Sequence, residues 1–145
     1  MLSAQRDTSY ATIRYDSVVI YHYNKGAHEK EIAIVEHGRL NTQEVIKSHQ
    51  LDKANAAHLG NLLMQRSSYG EAEAACYDPH LGIVYWLAGR PAQYVSVCLS
   101  CNRLRASISI AAQKQGSKYG DYYTQQGMTD SFRKYLKDMV DKYLK

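Results

Sequence analysis

The stretch from Gly82 to Leu99 dictates the middle of any fold this chain can adopt. Gly82-Ile-Val-Tyr-Trp-Leu-Ala88 and Ala92-Gln-Tyr-Val-Ser-Val-Cys-Leu99 are rich in β-branched and aromatic residues, the composition that suits a pleated, half-buried surface. Between them stands Gly89-Arg90-Pro91. Glycine there supplies positive φ and proline is tolerated at a strand edge, so the segment reads as an antiparallel hairpin. Paired across that turn, facing residues have indices summing to roughly 180. Cys98 then lies opposite Leu81 or Gly82, and Cys101 comes level with Asp78 to Pro79. At ~3.3 Å per residue, Cys76 and His80 fall within about two residues' rise of Cys98 and Cys101. The hairpin gathers all three cysteines of the chain at one end.

Three chemistries fit such a cluster. In an oxidising compartment, Cys98 or Cys101 could bridge to Cys76 and leave one free thiol, a structural staple. Alternatively Cys76, His80, Cys98 and Cys101 supply the sulfur and nitrogen donors that tetrahedral zinc takes, with Cys98-x-x-Cys101 as a ligand pair. The third is thiol redox chemistry on Cys98-x-x-Cys101 with Cys76 as modulator. That reading lacks the helix N-terminus or βαβ setting that usually activates such a pair, although Arg103 and Arg105 follow closely.

Other catalytic signatures are missing from the sequence: there is no GxSxG, Walker-type glycine loop, HExxH or dinucleotide fingerprint. The other five histidines are scattered, and no partner is identifiable to orient a Cys76–His80 pair as nucleophile and base. No catalytic residue is therefore assigned. The formal charge of +4 is diffuse. Arg103, Arg105, Lys114 and Lys118 form the nearest thing to a basic stretch, with no accompanying nucleic-acid motif; they read as a solvated loop. No apolar run approaches the ~20 residues of a membrane span.

Upstream, residues 11–23 alternate well enough to form a long strand. Residues 31–36 read as a second strand and 42–48 as a third, with a helix start at Thr42 as the competitor, which makes a three-stranded meander. Asp52 caps a helix reaching Gln65 or Arg66, with Ala56, Leu59, Leu62 and Leu63 on one face and Gly60 permitting a close approach to the sheet. Residues 106–111 compose one more short strand. Residues 113–127, with three glycines and tyrosine-rich patches, read as a long surface loop, a class of segment that is often functional. Thr129 then caps the clearest helix, where Phe132, Tyr135, Leu136, Met139, Val140, Tyr143 and Leu144 recur with helical spacing. The fold expected is α+β. A single domain, 1–145, holds five or six mostly antiparallel strands under one layer of two helices, with residues 1–9 as a flexible N-terminal segment.

The motif Cys76-Tyr-Asp-Pro-His-Leu-Gly-Ile-Val-Tyr-Trp, followed by Val95-Ser-Val-Cys-Leu-Ser-Cys-Asn102, resembles a group of small bacterial proteins, mostly from Bacteroidetes. Their common form is a cysteine, an aromatic, Pro-His or Pro-Arg, a GxVFY-like strand and then I-C-x-x-C-N. Tyr85-Trp86 stands here where Phe-Tyr is usual, which reads as a packing change. The relatives that carry arginine in place of His80 would lack the fourth zinc ligand. No activity is assigned to the group, but its members often carry an export signal or lipoprotein leader. That implies a periplasmic or envelope location if a leader preceded Ser3-Ala4, and a cytoplasmic one otherwise. The function expected is a small non-enzymatic binding protein, such as an immunity protein that neutralises a toxin. Tyr119, Tyr122 and Tyr123 are the expected contacts, and no cofactor is required unless the cysteine cluster holds zinc.

Overall fold

The computed structural model describes residues 14–24, 32–74, 76–114, 118–119, 122–123 and 126–145; the N-terminal segment 1–9 and the first residues of the strand expected from Ala11 lie outside them. Ser17–Tyr23 (β1) carries a nearly unbroken apolar run because both faces of the strand are covered. Val18 and Ile20 enter one core, while Tyr21 and Tyr23 enter a second on the opposite face. Val45–Gln50 (β4) pairs with β1 on one side, and Leu81–Leu87 (β6) on the other. Arg90–Cys98 (β7) and Arg103–Ala106 (β8) complete an antiparallel five-stranded sheet in the order β4-β1-β6-β7-β8.

The expected meander does not form. Val35–Glu36 (β2) pairs only with Arg39–Leu40 (β3), across a turn in which His37 and Gly38 both take positive φ, 53° and 73°. Two consecutive positive-φ residues make the tight turn that matches strand twist. This small hairpin lies outside the main sheet, and Ile34, Val35 and Leu40 pack with Tyr21, Tyr23 and Val84 on the second face. Gly82 is what makes room: a β-carbon there would meet Ile34 Cγ1 at 2.8 Å. Thr42–Glu44 is a single 3₁₀ turn rather than a helix start, and β4 then joins β1 directly, Ile20 facing His49.

Lys53–Met64 (α1) begins as expected, the Asp52 carboxylate accepting from Asn55 N–H at 2.8 Å. Ala56, Leu59, Leu63 and Met64 face the sheet. Gly60 has nothing within 4 Å of a built β-carbon, so no close approach depends on it. Tyr69–Glu71 (β5) pairs with Gly127–Met128 (β11), and Asp130–Tyr143 (α2) follows, capped by Thr129 Oγ1 accepting from Phe132 N–H at 3.3 Å. Phe132, Leu136 and Met139 share one core with α1 and with β1, β6 and β7. Both helices therefore cover the same face, and the architecture is α+β. Among the described residues, no helix is long and apolar enough to cross a membrane.

The strand expected at 106–111 lies earlier. The turn Leu99–Asn102 closes with Asn102 at φ 53°, so pairing resumes at once with Cys98 facing Arg103. Arg103 and Arg105 are consequently ladder residues, not a solvated loop. Within the expected 113–127 loop, Lys118–Tyr119 (β9) pairs with Tyr122–Tyr123 (β10). Gln113 is buried, its side-chain amide donating to Leu104 O at 2.7 Å.

Candidate functional site

The central hairpin turns one residue earlier than its composition suggests. Ala88 and Gly89 form the two-residue turn, with φ of 51° and 78°, and Arg90 and Pro91 already belong to β7. Leu81 therefore faces Val97, and Cys98 stands one step beyond that pair, level with His80. The shift leaves the sulfurs close enough to react. Cys76 and Cys101 are joined by a disulfide with Cα atoms 5.8 Å apart, within the reach of an ordinary bridge. The bond spans 25 residues, a loop whose closure stabilises a fold by about 3–4 kcal/mol through the unfolded chain. Cys98 is the free thiol and is buried. Ser100 Oγ stands between the two sulfur sites, 3.5 Å from Cys98 Sγ and 3.8 Å from Cys101 Sγ.

Glu73, Cys76 and Tyr77 are held over the second face of β7 and β8 by charge and aromatic contacts. Arg105 makes two bonds to the Glu73 carboxylate, at 2.8 and 3.3 Å, and Arg103 Nη1 donates to Cys76 O at 3.2 Å. Both guanidinium groups lie against the Tyr77 ring, 5.4 and 5.9 Å from its centre, as cations favour the face of an aromatic ring. The Tyr77 hydroxyl reaches Ser96 O at 3.2 Å. Sequence reading missed Tyr77 and Glu73, whose roles depend on the two arginines being strand residues.

His80 is occupied elsewhere than with sulfur. Its Nδ1 is 3.2 Å from Tyr23 O and its Nε2 3.2 Å from the Asp78 carboxylate. Asn24, at φ 75°, donates to Asp78 Oδ1 at 2.9 Å and to Pro79 O at 3.2 Å, tying the end of β1 to this loop. The His22 ring sits 6.2 Å from that of His80, and burial, with His80 and Lys145 nearby, holds its pKa below the ordinary histidine value. Among the described residues, no group of three or more His, Cys, Asp and Glu side chains is arranged to hold a metal ion. The set Cys76, His80, Cys98 and Cys101 is divided here between a disulfide, a buried thiol and a histidine hydrogen-bonded elsewhere.

Asn102, the final residue of the cysteine motif, is buried and does structural work that the sequence did not announce. Its amide donates to Ala72 O and Met128 O, at 3.1 and 2.9 Å, and accepts from Met128 N–H at 3.2 Å. An asparagine just after a tight turn, free to adopt positive φ, was the available signal. Tyr119 and Tyr122 lie opposite each other in the β9–β10 ladder, with Tyr123 opposite Lys118.

Compared with family models, curated proteins and solved structures, the chain has no match.

Proposed function

We propose that the chain is a small non-enzymatic binding protein of immunity type, in which the cysteine cluster is a staple and the partner is a protein such as a toxin. The observation that carries this reading is the Cys76–Cys101 bond beside a buried Cys98. One cross-link ties Cys76 to the turn between β7 and β8, and the remaining thiol is withdrawn from the surface. A disulfide of this kind persists in oxidising compartments, which supports placement in the bacterial envelope, as does the resemblance of the cysteine motif to proteins that often carry export signals. The contacts proposed are Tyr119, Tyr122 and Tyr123, because tyrosine supplies a large, rigid and amphipathic contact at low entropic cost.

The rival reading, a thiol or zinc protein, draws on Ser100 lying between Cys98 Sγ and Cys101 Sγ. Capture from an envelope extract separates the two. Under the binding reading, one protein is retained by the wild type and by Cys98→Ser but lost with Tyr122→Ala/Tyr123→Ala. Zinc content or disulfide-exchange turnover that Cys101→Ser abolishes, with capture unaffected by the tyrosines, would replace it.

A further inference from the structure

The three sulfurs differ in their exposure as well as in their bonding. Cys76 is exposed, whereas its partner Cys101 is buried. The free thiol, Cys98, is buried too, at the last position of β7. The Ser100 hydroxyl lies 3.5 Å from Cys98 Sγ and 3.8 Å from Cys101 Sγ. Those two sulfurs are therefore no farther apart than the sum of the two distances, with one hydroxyl touching both. A thiol held this near a disulfide is the reactant for thiol–disulfide exchange, in which a thiolate attacks one sulfur and the other leaves.

We infer that the staple is exchangeable: Cys98 displaces Cys76 from Cys101, giving a second oxidised form whose free thiol is the exposed Cys76. The Cys98 thiol loses its proton to solvent, and its sulfur bonds to Cys101 Sγ as the Cys76–Cys101 bond breaks. The electron pair of that bond leaves on Cys76 Sγ, which takes up a proton. Nothing is oxidised or reduced overall, so no external oxidant or reductant enters. Attack falls on Cys101 because the Ser100 hydroxyl couples its sulfur to that of Cys98. Arg103 Nη1 donates to Cys76 O at 3.2 Å, so the leaving thiolate forms near a guanidinium, a setting that favours the sulfur anion. Arg103 also faces Cys98 across the β7–β8 ladder.

The resting pairing is kept by the grip on the residues around Cys76. Arg105 holds the Glu73 carboxylate, the Tyr77 ring lies against both guanidinium groups, and the Tyr77 hydroxyl reaches Ser96 O. These contacts hold Cys76 beside Cys101, where it recaptures its partner. Loosening them shifts the balance towards the exchanged form and turns Cys76 into a surface thiol open to modification, which the buried Cys98 is not. The inference concerns the sulfurs alone and makes no use of Tyr119, Tyr122 or Tyr123, so it stands or falls apart from capture of a partner.

Iodoacetamide is the probe, applied to the intact oxidised chain under native conditions, with labels and disulfides mapped by peptide mass spectrometry without reduction. A brief pulse should leave the chain unlabelled. Over hours one label should accumulate on Cys76, and the same molecules should carry a Cys98–Cys101 bond. Labelling should be faster at about pH 8.5 than at about pH 6.5, because the thiolate is the attacking species. Tyr77→Ala, which loosens the grip on Cys76, should speed it by about fivefold or more. Cys98→Ala, its fold checked by circular dichroism, should take no label over the same period. A label on Cys98 instead of Cys76 would overturn the inference, since it would show the buried thiol reached by opening of the sheet end. So would a Cys76–Cys98 bond with Cys101 labelled, labelling of Cys98→Ala, or a Tyr77→Ala chain that stays unlabelled.

Discussion

Asn102 and Gly127 approach so closely that a β-carbon on Gly127 would lie 2.6 Å from the Asn102 amide nitrogen and 2.8 Å from its main-chain oxygen. The contact joins the turn before β8 to β11, and through β11 to the start of α2. Gly127→Ala must push this latch apart, and overpacking of that kind costs about 1–3 kcal/mol. Asn102→Ala leaves the buried Met128 N–H without its acceptor and should cost about 2–3 kcal/mol. Urea unfolding of the two single variants and the double variant checks this. Because both act on one contact, the double variant should lose clearly less than the sum.

The cysteines make a counting prediction. The native oxidised chain should resist alkylation, the denatured chain should take one label at Cys98, and the denatured and reduced chain should take three. Removing the bridge by Cys76→Ser/Cys101→Ser should lower stability by about 3 kcal/mol in denaturant titrations. Two labels on the denatured oxidised chain are impossible for this pairing. A protein mapped with a Cys98–Cys101 bond instead would show that the staple has exchanged.

Ala88 occupies the first position of the β6–β7 turn at φ 51°. A β-carbon in that left-handed region costs about 1–2 kcal/mol, whereas asparagine and glycine take it readily. Ala88→Asn or Ala88→Gly should therefore raise stability by about 0.5–1 kcal/mol, seen as a higher thermal midpoint. The same change at Ala92, within β7, should not.

His22 sets a pH dependence of stability. Its folded pKa lies below the ordinary value of 6.5, so between those two values the unfolded chain binds more protons and stability rises with pH. The contribution is complete above about pH 6.5 and fades as pH falls through the folded pKa. Urea midpoints measured from about pH 7.5 to about pH 5 should decline, and His22→Gln should make that decline shallower.

The helices were legible because each carries a capping oxygen followed by apolar residues at helical spacing, Asp52 before Ala56 and Leu59, Thr129 before Phe132 and Leu136. The central hairpin was legible from its composition, although its turn lies one residue earlier than Gly89-Arg90-Pro91 suggests, because Ala88 rather than Arg90 joins Gly89 at positive φ. What the sequence concealed was pairing at a distance. Ile34 and Val35 look like residues of a main-sheet strand, but Val35 pairs only within the β2–β3 hairpin and Ile34 packs over Gly82, and nothing local separates those uses of an apolar run. The cysteine cluster was readable as a neighbourhood but not as a pairing, because Cys98, the last residue of β7, and Cys101, in the turn that follows, both fall near Cys76 in the register of the hairpin. Asn24 and Asn102 were invisible as latches, since their partners lie 54 and 26 residues away.

The strand order has a consequence for how the chain assembles. β6, β7 and β8 follow one another through short turns and can pair as soon as they are made. β1 is different: it sits inside the sheet, with Ile20 facing Ile83, 63 positions further along the chain. Until β6 emerges from the ribosome, β1 has only β4 beside it, and its other edge carries unpaired amides flanked by Val18, Val19 and Ile20. Closing so long a loop is slow relative to local pairing, and an apolar strand edge left waiting is a template for the wrong partner. The interval most open to wrong pairing therefore runs from the synthesis of β1 until β6 closes over it.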